Sequence, residues 1–222
     1  RLSGSRCFWR ARSTENQIIA VAAFNIYGSK SKGQPAILLL DGQKAQLQIL
    51  KAGENGIYSL DRVLDVGRWN AADHLKMLYA PLTGKDSKSI LLFDSEKFAI
   101  ITPPTKGRIW YHLDQQFSYE TKIKDGSYGN LTAGDINSDD RSDIVMVEYR
   151  RNHIEILALD ADIKPIPAMR FKVFEQKSYQ DSKDRSKTGV EPRELYVADV
   201  TNDGKDDLVT VIHDRIIIYP QD

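Results

Sequence analysis

Two stretches of the chain, "DINSDDRSDIVMV" (Asp135–Val147) and "DVTNDGKDDLVTV" (Asp199–Val211), crowd carboxylates immediately before apolar, β-branched runs. Left uncompensated, Asp199, Asp203, Asp206 and Asp207 would repel one another, so the cluster calls for a positive charge in its midst. The two stretches coincide when shifted by 64 positions, with Asp135 on Asp199, Asp139 on Asp203 and Asp143 on Asp207. Both fit D-x-[D/N/T]-x-D-[G]-x-x-D, in which positions 1, 3, 5 and 9 carry side-chain oxygens. Position 7 can add a backbone carbonyl, and glycine at position 6 permits a sharp bend. Ca²⁺ takes six to eight oxygens at about 2.3–2.6 Å, and such a loop supplies most of them. Mg²⁺ demands tighter octahedral geometry and retains more water, so Ca²⁺ is the better match.

An EF-hand opens with the same phrase but needs a bidentate Glu at position 12 and flanking helices. Position 12 is Met146 in one copy and Thr210 in the other, and both flanks read as strands. Asp, Asn and Gly also dominate ordinary turns, so a single copy would decide little. Two copies that share positions 1, 5 and 9 and the strand beyond them favour the ion.

The elements that must hold these loops repeat as well. Each acidic loop runs into a strand, a tight turn and another apolar strand, with period-2 patterning. The hairpin half recurs in "AILLLDGQKAQLQIL" (Ala36–Leu50) and "SILLFDSEKFAIIT" (Ser89–Thr102). The strand starts Ile37, Ile90, Ile144 and Leu208 are 53, 54 and 64 residues apart, the last interval stretched by a polar insert over 175–192 read as an exposed loop. A first strand precedes each loop: "IIAVAAF", "LKMLYA", "NLTAG" and "ELYVA". A fourth follows in three units: "YSLDRVLDV" (Tyr58–Val66), "RIWYHLD" (Arg108–Asp114) and "AMRFKVF" (Ala168–Phe174). Helical periodicity is weak, with one short turn of helix expected in Asn70–Tyr79.

The expectation is an all-β chain, a β-propeller built of four-stranded antiparallel blades. Residues 1–222 read as a single propeller domain or segment with units near 14–68, 69–124, 125–176 and 190–222. The last unit ends after its third strand, and a spare strand lies at Ser5–Ser13. Either the spare strand completes the last blade, or the chain is a segment of a larger propeller. The second is preferred because small rings are less common.

The loops and the apolar strands behind them resemble the FG-GAP/VCBS repeats of integrin-α-type β-propellers. The resemblance is specific over 131–159 and 195–219, and reaches only the hairpin over 18–102. In that family each such loop joins the first and second strands of a blade and binds Ca²⁺. The resemblance implies ligands Asp135, Asn137, Asp139 and Asp143 with the Arg141 carbonyl in one site. In the other it implies Asp199, Thr201, Asp203 and Asp207 with the Lys205 carbonyl. Asp140 stands where glycine is expected, a residue that tolerates a left-handed backbone better than most. Thr201 is a weaker, neutral ligand, so the 135–143 loop is read as the tighter site. The corresponding loop "PLTGKDSKS" has Pro81, Thr83, Lys85 and Ser89 at the four ligand positions and "IYGSKSKGQPA" has no acid at all, so both are expected to be metal-free.

Thirty-one basic and thirty-one acidic side chains balance, which gives no case for nucleic-acid binding. No apolar run approaches the roughly 20 residues of a membrane span. Cys7 is the lone cysteine, excluding an internal disulfide or a thiolate cage. The chain opens at Arg1 with no signal sequence, which reads as a trimmed N-terminus. There is no G-x-S-x-G elbow, no phosphate-binding loop, and no pair of histidines spaced for zinc. The aromatics Phe8, Trp9, Trp69, Trp110, Tyr111, Phe117 and Tyr119 are read as packing between blades. The resulting expectation is a calcium-dependent recognition or adhesion scaffold for a protein or glycan, with an extracellular, periplasmic or cell-surface setting and further blades or subunits as partners. The alternative is an accessory or catalytic part of a polysaccharide-degrading enzyme.

Overall fold

The computed structural model describes residues 17–24, 34–67, 69, 75–82, 89–101, 115–120, 122–123, 126–148, 150–173, 192–212 and 215–221. The spare strand at 5–13, the insert over 175–191 and the two loops at 25–33 and 83–88 lie outside these residues. Among the described residues there is no helix, and none long and apolar enough to cross a membrane.

Short apolar runs separated by short polar turns fold as sequential antiparallel meanders. The first sheet pairs β1 (Ile18–Phe24), β2 (Ala36–Asp41), β3 (Gln46–Ala52) and β4 (Tyr58–Asp65) in chain order. The second pairs β5 (Lys76–Ala80), β6 (Ser89–Phe93), β7 (Lys97–Ile101) and β8 (Gln115–Glu120) in the same way. The third pairs β9 (Tyr128–Gly134), β10 (Asp143–Glu148), β11 (His153–Leu159) and β12 (Pro165–Lys172). The last has three strands, β13 (Glu194–Ala198), β14 (Asp207–Ile212) and β15 (Arg215–Tyr219). The protein is all-β, and its four antiparallel sheets are blades of the β-propeller type.

Strand boundaries correct the sequence reading in two places. The fourth strand of sheet 2 is Gln115–Glu120, whereas Arg108–Asp114 lies outside the described residues. Its anchor is Tyr119, which is buried and stacks on Phe98 with ring centroids 5.6 Å apart. In sheet 3 the outer strand starts three residues earlier than expected and includes Pro165 and Pro167. Proline lacks a donor, and it is tolerated there because the strand is an edge with a register shift opposite Ile156/Leu157. The helical turn expected at Asn70–Tyr79 is not seen: 70 to 74 lie outside the described residues and Lys76 onward is β5.

By contacts the chain divides into two compact units, Arg1–Met77 with Ile101–Asp114, and Leu78–Ile100 with Gln115–Asp222. The first carries sheet 1, whose Leu38, Leu40, Leu47 and Ile49 are buried. In the second, sheet 3 is the middle layer. Ile144 and Met146 of β10 join Leu91, Phe93, Phe98 and Ile100 of sheet 2 in one apolar cluster. The alternate residues Val145 and Val147 join Leu195 and Leu208 of sheet 4 in another. With both faces covered, every residue of β10 is buried, whereas outer strand β12 is largely exposed. Buried between sheets 2 and 3, Glu155 accepts hydrogen bonds from Tyr119 (2.8 Å) and Tyr128 (2.6 Å) hydroxyls. Burial, and then the bond to Glu155, raise the Tyr119 hydroxyl far above its ordinary pKa.

The turn between the second and third strands carries a repeated acid that the sequence reading did not single out. Asp41 Oδ1 takes the N–H groups of Gln43 and Lys44, and Asp94 Oδ1 those of Glu96 and Lys97. Glu148 takes those of Arg150, Arg151 and, across to the start of β9, Ser127. All three acids are buried.

Removing a large ring from a closed core costs its transfer energy plus a cavity. Phe98→Ala should lower the unfolding free energy by about 3–5 kcal/mol in denaturant titration. Met169→Ala, at a side chain 59% exposed, should cost less than about 1 kcal/mol. Equal losses from the two would contradict this assignment of the core.

Candidate metal centre

The acidic loops occupy the same place in sheets 3 and 4, between the first and second strands. At the base of one, Asp143 pairs with Gly134; at the base of the other, Asp207 pairs with Ala198. Position 1 therefore leaves the first strand and position 9 opens the second.

Both loops follow one backbone path. Positions 4 and 6 have positive φ in each: Ser138 (57°) and Asp140 (65°), Asn202 (60°) and Gly204 (89°). Asp140 accordingly adopts the left-handed conformation expected where the motif has glycine, and position 4 is left-handed as well, which was not foreseen. Short polar side chains tolerate this region because they bond to nearby backbone. Position 1 carboxylates cradle the bend: Asp135 accepts N–H from Asp139 (3.1 Å) and Asp140 (2.9 Å). Asp199 accepts the same pair, from Asp203 (3.1 Å) and Gly204 (3.0 Å). Position 5 repeats too, with Asp139 accepting the Arg141 N–H and Asp203 the Lys205 N–H, both at 2.9 Å. Asn137 Oδ1 accepts the Asp139 N–H, and its amide donates to Asp139 Oδ2.

The loops differ at position 9. Asp143 is 3% exposed and accepts one hydrogen bond among the described residues, from the Ile136 N–H (3.2 Å). Burial pushes its carboxyl up to about 6; the Ile136 bond opposes the rise, while the Asp139 and Asp135 charges add to it. Asp207 is also buried, which by itself raises a carboxyl. It nevertheless lies below the ordinary carboxylate value, because N–H donors from Thr201, Gln221 and Val200 and the Thr201 hydroxyl together outweigh burial. Thr201 therefore spends its hydroxyl proton on Asp207.

All ten residues expected at the two sites thus lie in these loops, the carbonyl-bearing Arg141 and Lys205 included. Among the described residues no three His, Cys, Asp or Glu side chains are drawn together as a ready-made metal cluster. The donor set nonetheless suits a hard cation: it is all oxygen, and the bends that carry it are held by main-chain bonds. A carboxylate has about four lone-pair directions, so a backbone N–H on Asp135 or Asp139 leaves others free. The 135–143 loop has the stronger need, since its buried Asp143 lacks the donors that satisfy Asp207.

No family model matches the chain, and no curated protein is similar to it. Among solved structures it is similar to a protein from Lactobacillus plantarum, a structural-genomics target, at 11% identity and a TM-score of 0.46. The match covers 84% of this chain and 53% of that protein, so the chain spans about half its length.

The opposite shifts predict opposite pH behaviour in chelator. For Asp143 the folded pKa exceeds the unfolded one, so its ionisation destabilises the fold as pH rises from about 4 to about 6. The loss should reach about 2–3 kcal/mol and vanish in Asp143→Asn. For Asp207 the folded pKa is depressed, so its contribution is present at neutral pH and is lost on acidification. Denaturant titrations without Ca²⁺ at pH 7 should find Asp207→Asn less stable than wild type and Asp143→Asn no less stable; the reverse order would refute the contrast.

Proposed function

We propose that the chain is a calcium-binding propeller module of the FG-GAP/VCBS type that serves as a scaffold for recognising a protein or glycan. The observation that carries this reading is the repetition of one loop in successive sheets. Each loop has oxygen residues at positions 1, 3, 5 and 9, positive φ at positions 4 and 6, and the same two N–H groups on the position 1 carboxylate. A turn that only needed to reverse the chain would not require three carboxylates arranged alike twice.

In the 135–143 loop Asp135, Asn137, Asp139, Asp143 and the Arg141 carbonyl would hold the ion, with the exposed Asp139 side chain adjusting to close the shell. Bound Ca²⁺ supplies charge neutralisation beside the buried Asp143. In the 199–207 loop Asp199, Thr201, Asp203, Asp207 and the Lys205 carbonyl form the weaker site, because Asp207 is already satisfied. The ion's role is structural: it ties the entry of a buried strand and stiffens the loops at that end of the blades. An extracellular, periplasmic or cell-surface setting suits this chemistry, since modest-affinity extracellular sites work at millimolar Ca²⁺.

An ion that binds only the folded state stabilises it by about 2.7 kcal/mol at a hundredfold excess over Kd. Ca²⁺ should therefore raise the melting temperature by several degrees relative to chelator, a gain that Asp139→Ala removes for the most part. Asp203→Ala should remove a smaller share. A melting curve identical in millimolar Ca²⁺ and in chelator would end this reading.

A further inference from the structure

Asp206 sits beside Asp207 but turns its carboxylate away from its own loop. Its Oδ2 accepts the N–H of Asp135, the first residue of the neighbouring loop, at 3.1 Å. Gln221, two residues beyond β15, uses its side-chain amide on the Ile136 carbonyl, while its backbone N–H binds Asp207 Oδ1. The Ile136 N–H is held from the other side by Asp143. The N–H of Asp135 and both polar groups of Ile136 are thus engaged, two of the three by sheet 4. The approach is close: a Cβ on Gly134 would overlap Val197 and come within 3.0 Å of Asp206 Oδ2.

We propose that Asp206 and Gln221 are positioning residues for the 135–143 cation loop, so that filling this loop and seating sheet 4 on sheet 3 form one coupled equilibrium. The proposal rests on the reading that this loop takes Ca²⁺. The position 1 carboxylate can meet the ion only if its own backbone is held, and the groups that hold it belong to the next sheet. Coupling free energies are reciprocal, so what sheet 4 contributes to ion affinity the ion returns to the docking of sheet 4. Asp206 acts here as a hydrogen-bond acceptor, and its charge is incidental, which separates positioning from simple attraction of a cation.

The test uses the full chain in an Asp203→Ala background, so that the 135–143 loop is the site titrated. Ca²⁺ is titrated calorimetrically into this protein and into its Asp206→Ala, Asp206→Asn and Gln221→Ala derivatives. Amide hydrogen exchange over β13–β15 is followed with and without the ion. Asp206→Ala and Gln221→Ala should weaken Ca²⁺ binding about five- to tenfold. Asp206→Asn, whose side-chain oxygen still accepts the Asp135 N–H, should stay within about twofold of the parent. Ca²⁺ should slow exchange in β13–β15 of the parent, a readout that survives even if an alanine derivative fails to fold. Equal affinities throughout, an Asp206→Asn loss as large as that of alanine, or exchange unaffected by bound ion would each overturn the coupling while leaving the ion site standing. No binding to the parent or to the wild-type chain would overturn the ion site and the coupling with it.

Discussion

The second strand of a sheet in the middle of a stack has no face left for water, and this constraint governs the polar chemistry at both its ends. β10 is buried at every residue because Ile144 and Met146 meet one neighbouring sheet and Val145 and Val147 the other. A carboxylate at either end of such a strand must be met by donors or by a cation. Glu148, at the far end, is met by three main-chain N–H groups. Asp143, at the near end, has one, which does not offset the rise in pKa that burial imposes.

Two loops cut to one pattern therefore reach different electrostatic states. In sheet 4 the threonine at position 3 and the Gln221 backbone complete the donor set around Asp207. In sheet 3 the corresponding Asn137 faces Asp139 instead, and Asp143 stays under-satisfied. A divalent cation would serve the first loop as donors serve the second, which is why the sites are unequal partners in the proposed module. The hairpin acids Asp41 and Asp94 differ from both: each takes two N–H groups on one oxygen and leaves its other oxygen buried without a partner among the described residues.

Much of the fold was legible because its signals are local. Short apolar runs, bounded by Asp, Gly and Ser, mark β2, β3, β6, β7, β10 and β11, and the repeat of the acidic loops marks where sheets 3 and 4 begin their second strands. The outer strands were harder to place, since exposure relaxes the pattern. Periodicity alone does not choose Gln115–Glu120 over Arg108–Asp114, and the prolines of β12 argue against a strand until its edge position is known. At the candidate site, residue types, loop length and the bend at Asp140 were readable. The left-handed Ser138 and Asn202 were not, because their side chains are common in many turns.

By itself, the chain's order of residues determined the strand alternation, the repeated sheets and the oxygen-rich loops between first and second strands, all consequences of neighbours within a dozen positions. Only the tertiary structure decided which carboxylate is satisfied and which is not. Asp135 meets Asp206 across 71 positions and Ile136 meets Gln221 across 85, contacts that exist because two sheets stack. The charge state of a buried acid depends on every donor that packing brings to it, and that sum is not written in any local stretch of sequence.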